Sequence, residues 1–377
     1  MPAVTLDLNN AEDQRDVVHR AVQALSEGQI VALPTESVYG LAVNALHPEA
    51  VERLMDLKGR PEGKPFTIAT KSLDDALDYV PEMSSLARRV ARRSWPGPVT
   101  LVLDATHRDS VIHRLDPIVQ KAVIPNGTVG LRVPSHEVTL QIMRLCAGPI
   151  LLTSANLSGQ PDCVTGQQVK EALEDKIDLI VDNGPCQFGE PSSVVQIMNN
   201  EISVLREGIV KAETINKLTN FIALIVCTGN TCRSPMGEGL MRKRIATKIG
   251  CPIDQLSDKG ISIFSAGIAA MPGSPATPQA VNVMNSLGID IADHSSQPIT
   301  GRLAQFADII LTMTNGHRQA LISHWPLLEP RTKTLRRDGA DVSDPIGSPV
   351  EVYSSCAEQI DNNLAEWIEE FDFSPFM

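Results

Sequence analysis

The sequence predicts two successive α/β domains, on three observations. The chain has 377 residues, more than one hydrophobic core ordinarily serves. Through residue 210, segments of helical period alternate with short apolar runs that end in polar loops, the pattern of a mixed α/β layer. From residue 221 a further apolar run, FIALIV, meets Cys227 and continues as TGNTCRSP, which reads as a strand, a tight loop and a helix start.

The elements of the first domain follow in order. AEDQRDVVHRAVQALSEG sets Val17, Val18, Ala21, Val22 and Leu25 at helical spacing, with Gly28 as a stop. QIVALPTESVYGLAVNA reads as a strand, a Pro-Thr-Glu-Ser corner and a second apolar run. HPEAVERLMDLKGRPEGKP reads as a helix that ends at Gly59, and ARRSWPGPVTLVLD as a helix, a Pro-Gly break and a strand. GTVGLRVP and PILLTSANLSG are strands running into polar loops, and EISVLREGIV closes the domain with a strand and a turn. KAETINKLTN is polar and without strong periodicity, so 211–220 reads as a linker, with room for a short helical turn, between a domain at 10–210 and another at 221–371. No internal repeat or low-complexity tract interrupts either half.

Composition excludes several classes. The formal net charge is −12, spread as −8 over residues 1–210 and −4 over 211–377. Neither half therefore suits diffuse binding of nucleic acid, which needs positive surface. Arg88, Arg89, Arg92 and Arg93 form one basic stripe at helical spacing, which reads first as a solvated helix face. No run of 18 apolar residues is present, and the opening MPAVTLDLNNAEDQRD does not read as a signal peptide. Seven scattered cysteines without a Cys-x-x-Cys pair argue against a disulfide framework or zinc ribbon and fit a reducing, cytoplasmic setting.

The Cys227 segment carries the clearest chemistry. Backbone N–H groups of a tight loop that opens a helix converge on an anion, and the helix dipole adds positive potential. A cysteine on that rim has its anionic form favoured by the same field. Arg233 can grip two phosphate oxygens through its planar fork, and Pro235 suits the first helical position, where its missing N–H costs nothing. Cys-x5-Arg-Ser resembles the loop of the low-molecular-weight protein phosphatase family, and residues 221–371 follow that family's layout. The resemblance implies a doubly wound, four-stranded parallel sheet. It implies Cys227 as the nucleophile of a phosphocysteine intermediate and Arg233 as the phosphate grip. Ser234 would bond the thiolate, Asn230 would hold the loop through a left-handed backbone, and His294 would brace that asparagine. Asp344, in Asp344-Pro345, would be the general acid. Cys232 would pair reversibly with Cys227, or simply pack beneath the loop. Thr231, and Ile346-Gly347 where tyrosine-directed members carry aromatic residues, resemble the protein-arginine phosphatase branch and favour phosphoarginine over phosphotyrosine.

A second resemblance covers residues 10–210. PTESVYGL (34–41), KGRPEGKP (58–65), WPGPVT (95–100), VGLRVPSH (129–136), TSANLSG (153–159), SSVV (192–195) and VLREG (204–208) stand in the order of the YrdC-type threonylcarbamoyl-AMP synthase family. That likeness implies a twisted mixed sheet with helices, and a reaction joining L-threonine, bicarbonate and ATP for tRNA threonylcarbamoyladenosine modification. Lys58, Arg60, Lys64, Thr128, Ser154, Asn156 and Arg206 would bind ATP, with magnesium carried on its phosphates and no dedicated protein metal site. Thr35, Arg132 and Ser192 would hold threonine. Departures fall at Ala69, where some members have histidine, and at Ser193 and Gln196 within the Ser-Thr-Val-Val-Asp element.

Together these imply a bifunctional enzyme, nucleotidyltransferase and phosphoprotein phosphatase, whose adenylate would pass to a tRNA-modifying transferase. An alternative makes the first domain a non-catalytic RNA-binding module attached to an active phosphatase.

Overall fold

A computed structural model describes residues 2–59 and 65–376. It divides into two compact units between Leu218 and Thr219.

The N-terminal unit is built on one ten-stranded mixed sheet. Its strands are β1 (Val4–Asp7), β2 (Val31–Leu33), β3 (Gly40–Asn44), β4 (Thr67–Ala69), β5 (Val99–Asp104), β6 (Thr128–Arg132), β7 (Ile150–Ser154), β8 (Leu179–Asp182), β9 (Ser193–Met198) and β10 (Glu201–Arg206). The order across the sheet is β1-β8-β2-β3-β7-β4-β6-β5-β9-β10. The central strands are short and buried on both faces, which explains their continuous Val, Leu and Ala runs. The helix Gln14–Ser26 is capped by Asp13 and buries Val17, Val18, Ala21 and Leu25. Pro48–Lys58 begins on its proline and stops at Gly59, whose φ of 49° is left-handed.

One sequence expectation changes in part here, and the segment between the domains gains detail. Arg88, Arg89, Arg92 and Arg93 lie on the helix Ser85–Ser94, but the face is only partly solvated: Arg88 is exposed, whereas Arg89 is buried and Arg93 donates from Nη1 to Leu218 O at 2.8 Å. The segment 211–220 holds the helix Ala212–Leu218, whose Ile215 is fully buried in the unit's core.

The C-terminal unit carries four parallel strands, β11 (Phe221–Cys227), β12 (Ile261–Gly267), β13 (Ile309–Thr312) and β14 (Thr332–Thr334), in the order β12-β11-β13-β14. Chain direction across the sheet reverses at β11, so its carboxyl end opens where α/β sheets ordinarily take a ligand. The helix Arg233–Ile249 starts two residues before Pro235, leaving the proline within the first turn, where its N–H is not needed. The long helix Val350–Glu370 packs Tyr353, Cys356, Ile360 and Leu364 against that first helix and the sheet.

Candidate active sites

The phosphate loop is shaped from outside by four hydrogen bonds. The carbonyls of Cys227, Thr228, Asn230 and Thr231 accept from Ile268 N, Ala269 N, His294 Nε2 and Thr277 N at 3.0, 3.0, 2.8 and 2.9 Å. A carbonyl only accepts, so His294 carries its proton on Nε2. In a planar trans peptide the carbonyl and the following N–H point oppositely. The N–H groups of Thr228, Gly229, Thr231 and Cys232 therefore turn inward, a nest for an oxyanion.

Cys227 ends β11, buried. Its Sγ accepts from Asn230 N at 3.2 Å and lies 2.9 Å from Ser234 Oγ. Asn230, at φ 56°, takes the left-handed backbone the turn requires. Its Nδ2 donates to both Ser234 Oγ and Ser265 Oγ at 2.9 Å, and Oδ1 accepts from Gln297 N at 2.9 Å. Ser265 Oγ in turn donates to Glu238 Oε2 at 2.7 Å. Because Ser234 Oγ accepts from the amide, its own hydrogen is directed at the Cys227 sulfur.

Arg233 is buried; it donates to Val342 O at 3.0 Å and pairs through Nη2 with Asp344. The two residues expected to grip phosphate and to supply protons thus touch each other. Asp344 Oδ1 also accepts from Ile346 N at 3.2 Å, and the Ile346 side chain is 64% exposed. Thr231 Oγ1 lies 3.7 Å from Cys232 Sγ. Cys232 is buried, 3.5 Å from both Thr277 Oγ1 and Tyr353 OH, and no disulfide joins it to Cys227. Burial pushes the Cys356 thiol up to about 12.

In the N-terminal unit a cavity of about 1020 Å³ is lined by Thr35, Lys58, Thr128, Arg132, Ser154, Asn156, Ser192 and Arg206 among others. These come from the two ends of β6, the carboxyl ends of β7 and β10, the residue before β9, the corner after β2, and the end of the helix Pro48–Lys58. Arg60 and Lys64 lie outside the described residues. Lys58 is 4% exposed, its Nζ donating to Ser154 O at 3.0 Å and to Asn156 O and Oδ1 at 2.6 Å. Ser154 Oγ donates to the same Asn156 Oδ1 at 2.8 Å, and Asn156 Nδ2 donates to Gln160 O at 2.6 Å. Arg206 donates to Ser192 O at 2.8 Å and to Ser192 Oγ at 3.3 Å. Burial holds the Arg206 guanidinium below its ordinary value; Asp162 pulls it up and Arg132 pushes it down.

Arg132 is not alone in the wall. Its Nη2 donates to Glu36 Oε1 at 2.6 Å and Ser37 Oγ at 2.8 Å, its Nε to Gly97 O at 3.2 Å. Glu36, 3% exposed, also accepts from Ser135 N at 2.9 Å, and Thr35 Oγ1 lies 2.8 Å from Ser37 Oγ. Glu36 and Ser37 escaped the sequence reading although both stand in the quoted PTESVYGL; their partner lies 96 and 95 residues away. Among the described residues no cluster of three or more His, Cys, Asp or Glu could hold a metal ion, and no helix is long and apolar enough to cross a membrane.

The geometry defines a two-unit chain, one unit shaped around a polar, cation-lined cavity and the other around a cysteine in an oxyanion nest. Residues 23–208 match the Sua5/YciO/YrdC family model, described as telomere recombination, and residues 222–374 match the model described as low molecular weight phosphotyrosine protein phosphatase. The chain belongs to the first family through its N-terminal unit, and its C-terminal unit matches the model of the second. The threonylcarbamoyl-AMP synthase of Pyrococcus abyssi is 37% identical over 202 residues, 53% of this chain and 56% of that one. That of Bacillus subtilis is 30% identical over 237 residues, 63% of this chain and 65% of that one. The chain thus spans less than two thirds of either relative. A Mycobacterium tuberculosis relative, whose name carries the same activity provisionally, is 32% identical over 211 residues, 56% of this chain and 93% of that one. Sua5 from P. abyssi, solved in complex with L-threonine, shares the fold at a TM-score of 0.51 and 22% identity, covering 71% of this chain and 92% of that one. A low-molecular-weight protein tyrosine phosphatase from T. tengcongensis is 34% identical over 40% of this chain and 100% of that one, at a TM-score of 0.36.

Proposed function

We propose that the N-terminal unit makes L-threonylcarbamoyl-adenylate from L-threonine, bicarbonate and ATP. The observation carrying this reading is that all eight candidate residues within the described chain line one cavity. Threonine nitrogen and bicarbonate condense to a carbamate with loss of water. A carbamate oxygen then attacks the α-phosphorus, and the P–O bond to pyrophosphate breaks. No side-chain nucleophile is needed; fixed cations and hydroxyls that orient the two anions supply the rate. Lys58 and Arg206 face the phosphates, with Thr128, Ser154 and Asn156 beside them. Arg132, held in place by Glu36, takes the carboxylate side with Thr35 and Ser192. Magnesium would enter as part of the nucleotide substrate, on its phosphates. The product's consumer is a tRNA-modifying transferase. The test is threonine- and bicarbonate-dependent formation of pyrophosphate from ATP; turnover that ignores threonine sinks the reading.

We further propose that the C-terminal unit dephosphorylates proteins through a phosphocysteine, with phosphoarginine preferred. The Cys227 sulfur attacks phosphorus, and the developing charge lies against the inward N–H groups and Arg233. As the phosphoryl oxygens engage the guanidinium, Asp344 is freed to take a proton from solvent and pass it to the leaving nitrogen or oxygen. The same carboxylate then takes a proton from the water that releases inorganic phosphate. Thr231 on the loop and the aliphatic Ile346 beside Asp344 support the arginine preference. Hydrolysis of phosphoarginine and phosphotyrosine at matched concentration tests it, and equal or reversed kcat/KM values defeat it. The unbridged cysteines suit a cytoplasmic setting.

Against the RNA-module alternative, the basic stripe exposes Arg88 but buries Arg89 and ties Arg93 to Leu218. A steep salt dependence of tRNA binding in a filter assay would restore it.

A further inference from the structure

The chemistry above leaves one buried histidine beside the nucleophile unused. His317 is the third residue of the helix Asn315–His324, with 6% exposure. Its Nε2 lies 2.8 Å from Oγ1 of Thr228, the residue directly after Cys227. Its Nδ1 is buried with no hydrogen-bond partner among the described residues. Four groups face the ring from three other elements: the Thr228 hydroxyl from the phosphate loop, Arg233 from the helix behind it, and Asp341 and Asp344 from the loop after β14. Burial, then Arg233, holds the imidazole below its ordinary value, while the two carboxylates pull the other way.

A neutral ring carries one proton. On Nδ1 that proton would be a buried donor meeting nothing, at a cost of about 1–3 kcal/mol. On Nε2 it meets Thr228 Oγ1, so Nε2 is the donor. A hydroxyl that accepts from the ring must aim its own hydrogen elsewhere. Thr228 is exposed on the loop that cradles the anion.

We propose that His317 is a positioning residue for phosphoryl transfer: by donating to Thr228 Oγ1 it turns the threonine O–H towards an oxygen of the bound phosphoryl group. The inference rests on the phosphatase reading of this unit. Thr228 is the group that touches substrate, and His317 acts only through it.

The test uses the full chain with p-nitrophenyl phosphate, phosphoarginine and the transition-state mimic orthovanadate. His317→Ala is expected to lower kcat/KM about tenfold and to weaken orthovanadate inhibition by a similar factor, below the loss for a donor in direct contact with the oxyanion. His317→Gln, which keeps a neutral donor, recovers most of both. Thr228→Val reproduces the loss, Thr228→Ser does not, and the double variant His317→Ala/Thr228→Val is no worse than either single one. Multiplying losses, a glutamine no better than alanine, or a loss below twofold overturns the proposal. If His317→Ala fails to fold, the Thr228 valine–serine pair decides alone: equal activity of the two overturns it. A wild-type chain without activity, unaltered by Cys227→Ser, instead sinks the phosphatase reading and this inference with it.

Discussion

At the scale of single residues, the phosphatase site is a set of groups already holding one another. In the proposed mechanism the Arg233–Asp344 pair matters most, because a bound phosphate would have to separate it before the carboxyl could serve a leaving group. Asp344→Asn should therefore slow release of poor leaving groups about a hundredfold and of p-nitrophenolate far less, as measured by kcat across a leaving-group series. Equal losses across the series would remove Asp344 from the proton-transfer step. In the N-terminal unit Lys58→Met leaves the acceptors on Ser154 and Asn156 without their cation. We expect ATP-dependent turnover to fall by two orders of magnitude and that unit to lose about 1–3 kcal/mol, read by denaturant titration. How legible these sites were depended on sequence separation. Cys227, Asn230, Arg233 and Ser234 sit within eight residues, and one loop motif announces them together. The contacts Lys58–Asn156, Arg132–Glu36 and Thr228–His317 span 98, 96 and 89 residues, and no local pattern declares them.

At the scale of elements, the carboxyl end of β12 is pressed against the phosphate loop. A Cβ on Gly267 would stand 2.4 Å from Thr228 O and 3.1 Å from Asn230 N, so Gly267→Ala must push the loop. Phosphatase kcat/KM should fall at least tenfold while thermal stability drops by about 1–3 kcal/mol; full activity in a folded variant would show that the loop tolerates displacement. The same scale explains what the sequence concealed. An i, i+4 stripe tells which arginines share a helix face but not what covers it, and here the helix Ala212–Leu218 packs against theirs. That covering helix has seven residues and a single buried one, too short for a period to emerge. Strong apolar runs such as FIALIV, and stops such as Gly28 and Gly59, were legible because burial and backbone sterics act within a few residues.

At the scale of the whole molecule, each hydrophobic cluster lies within one unit, so each unit has its own stability and its own chemistry. Cys227→Ser should abolish dephosphorylation and leave adenylate synthesis within twofold, and Lys58→Met should do the reverse; loss of both activities from either change would refute independence. The C-terminal unit should also weaken in alkali. Cys356 is buried as the thiol, its value raised from 9.0 to about 12, so the unfolded chain releases that proton first. The stabilising contribution is whole below pH 9 and declines as pH rises towards 12, and Cys356→Ala should flatten that limb in pH-dependent melting.

The amide of Asn230 has a longer consequence. Its nitrogen feeds two serine hydroxyls, and one of those hydroxyls faces the reactive sulfur. Replacing that nitrogen by an oxygen, as in Asn230→Asp, would take the donor from both hydroxyls, reverse the direction of Ser234, and set a negative charge beside the inward N–H groups. A single amide nitrogen thus fixes which way the hydroxyl beside the Cys227 sulfur points.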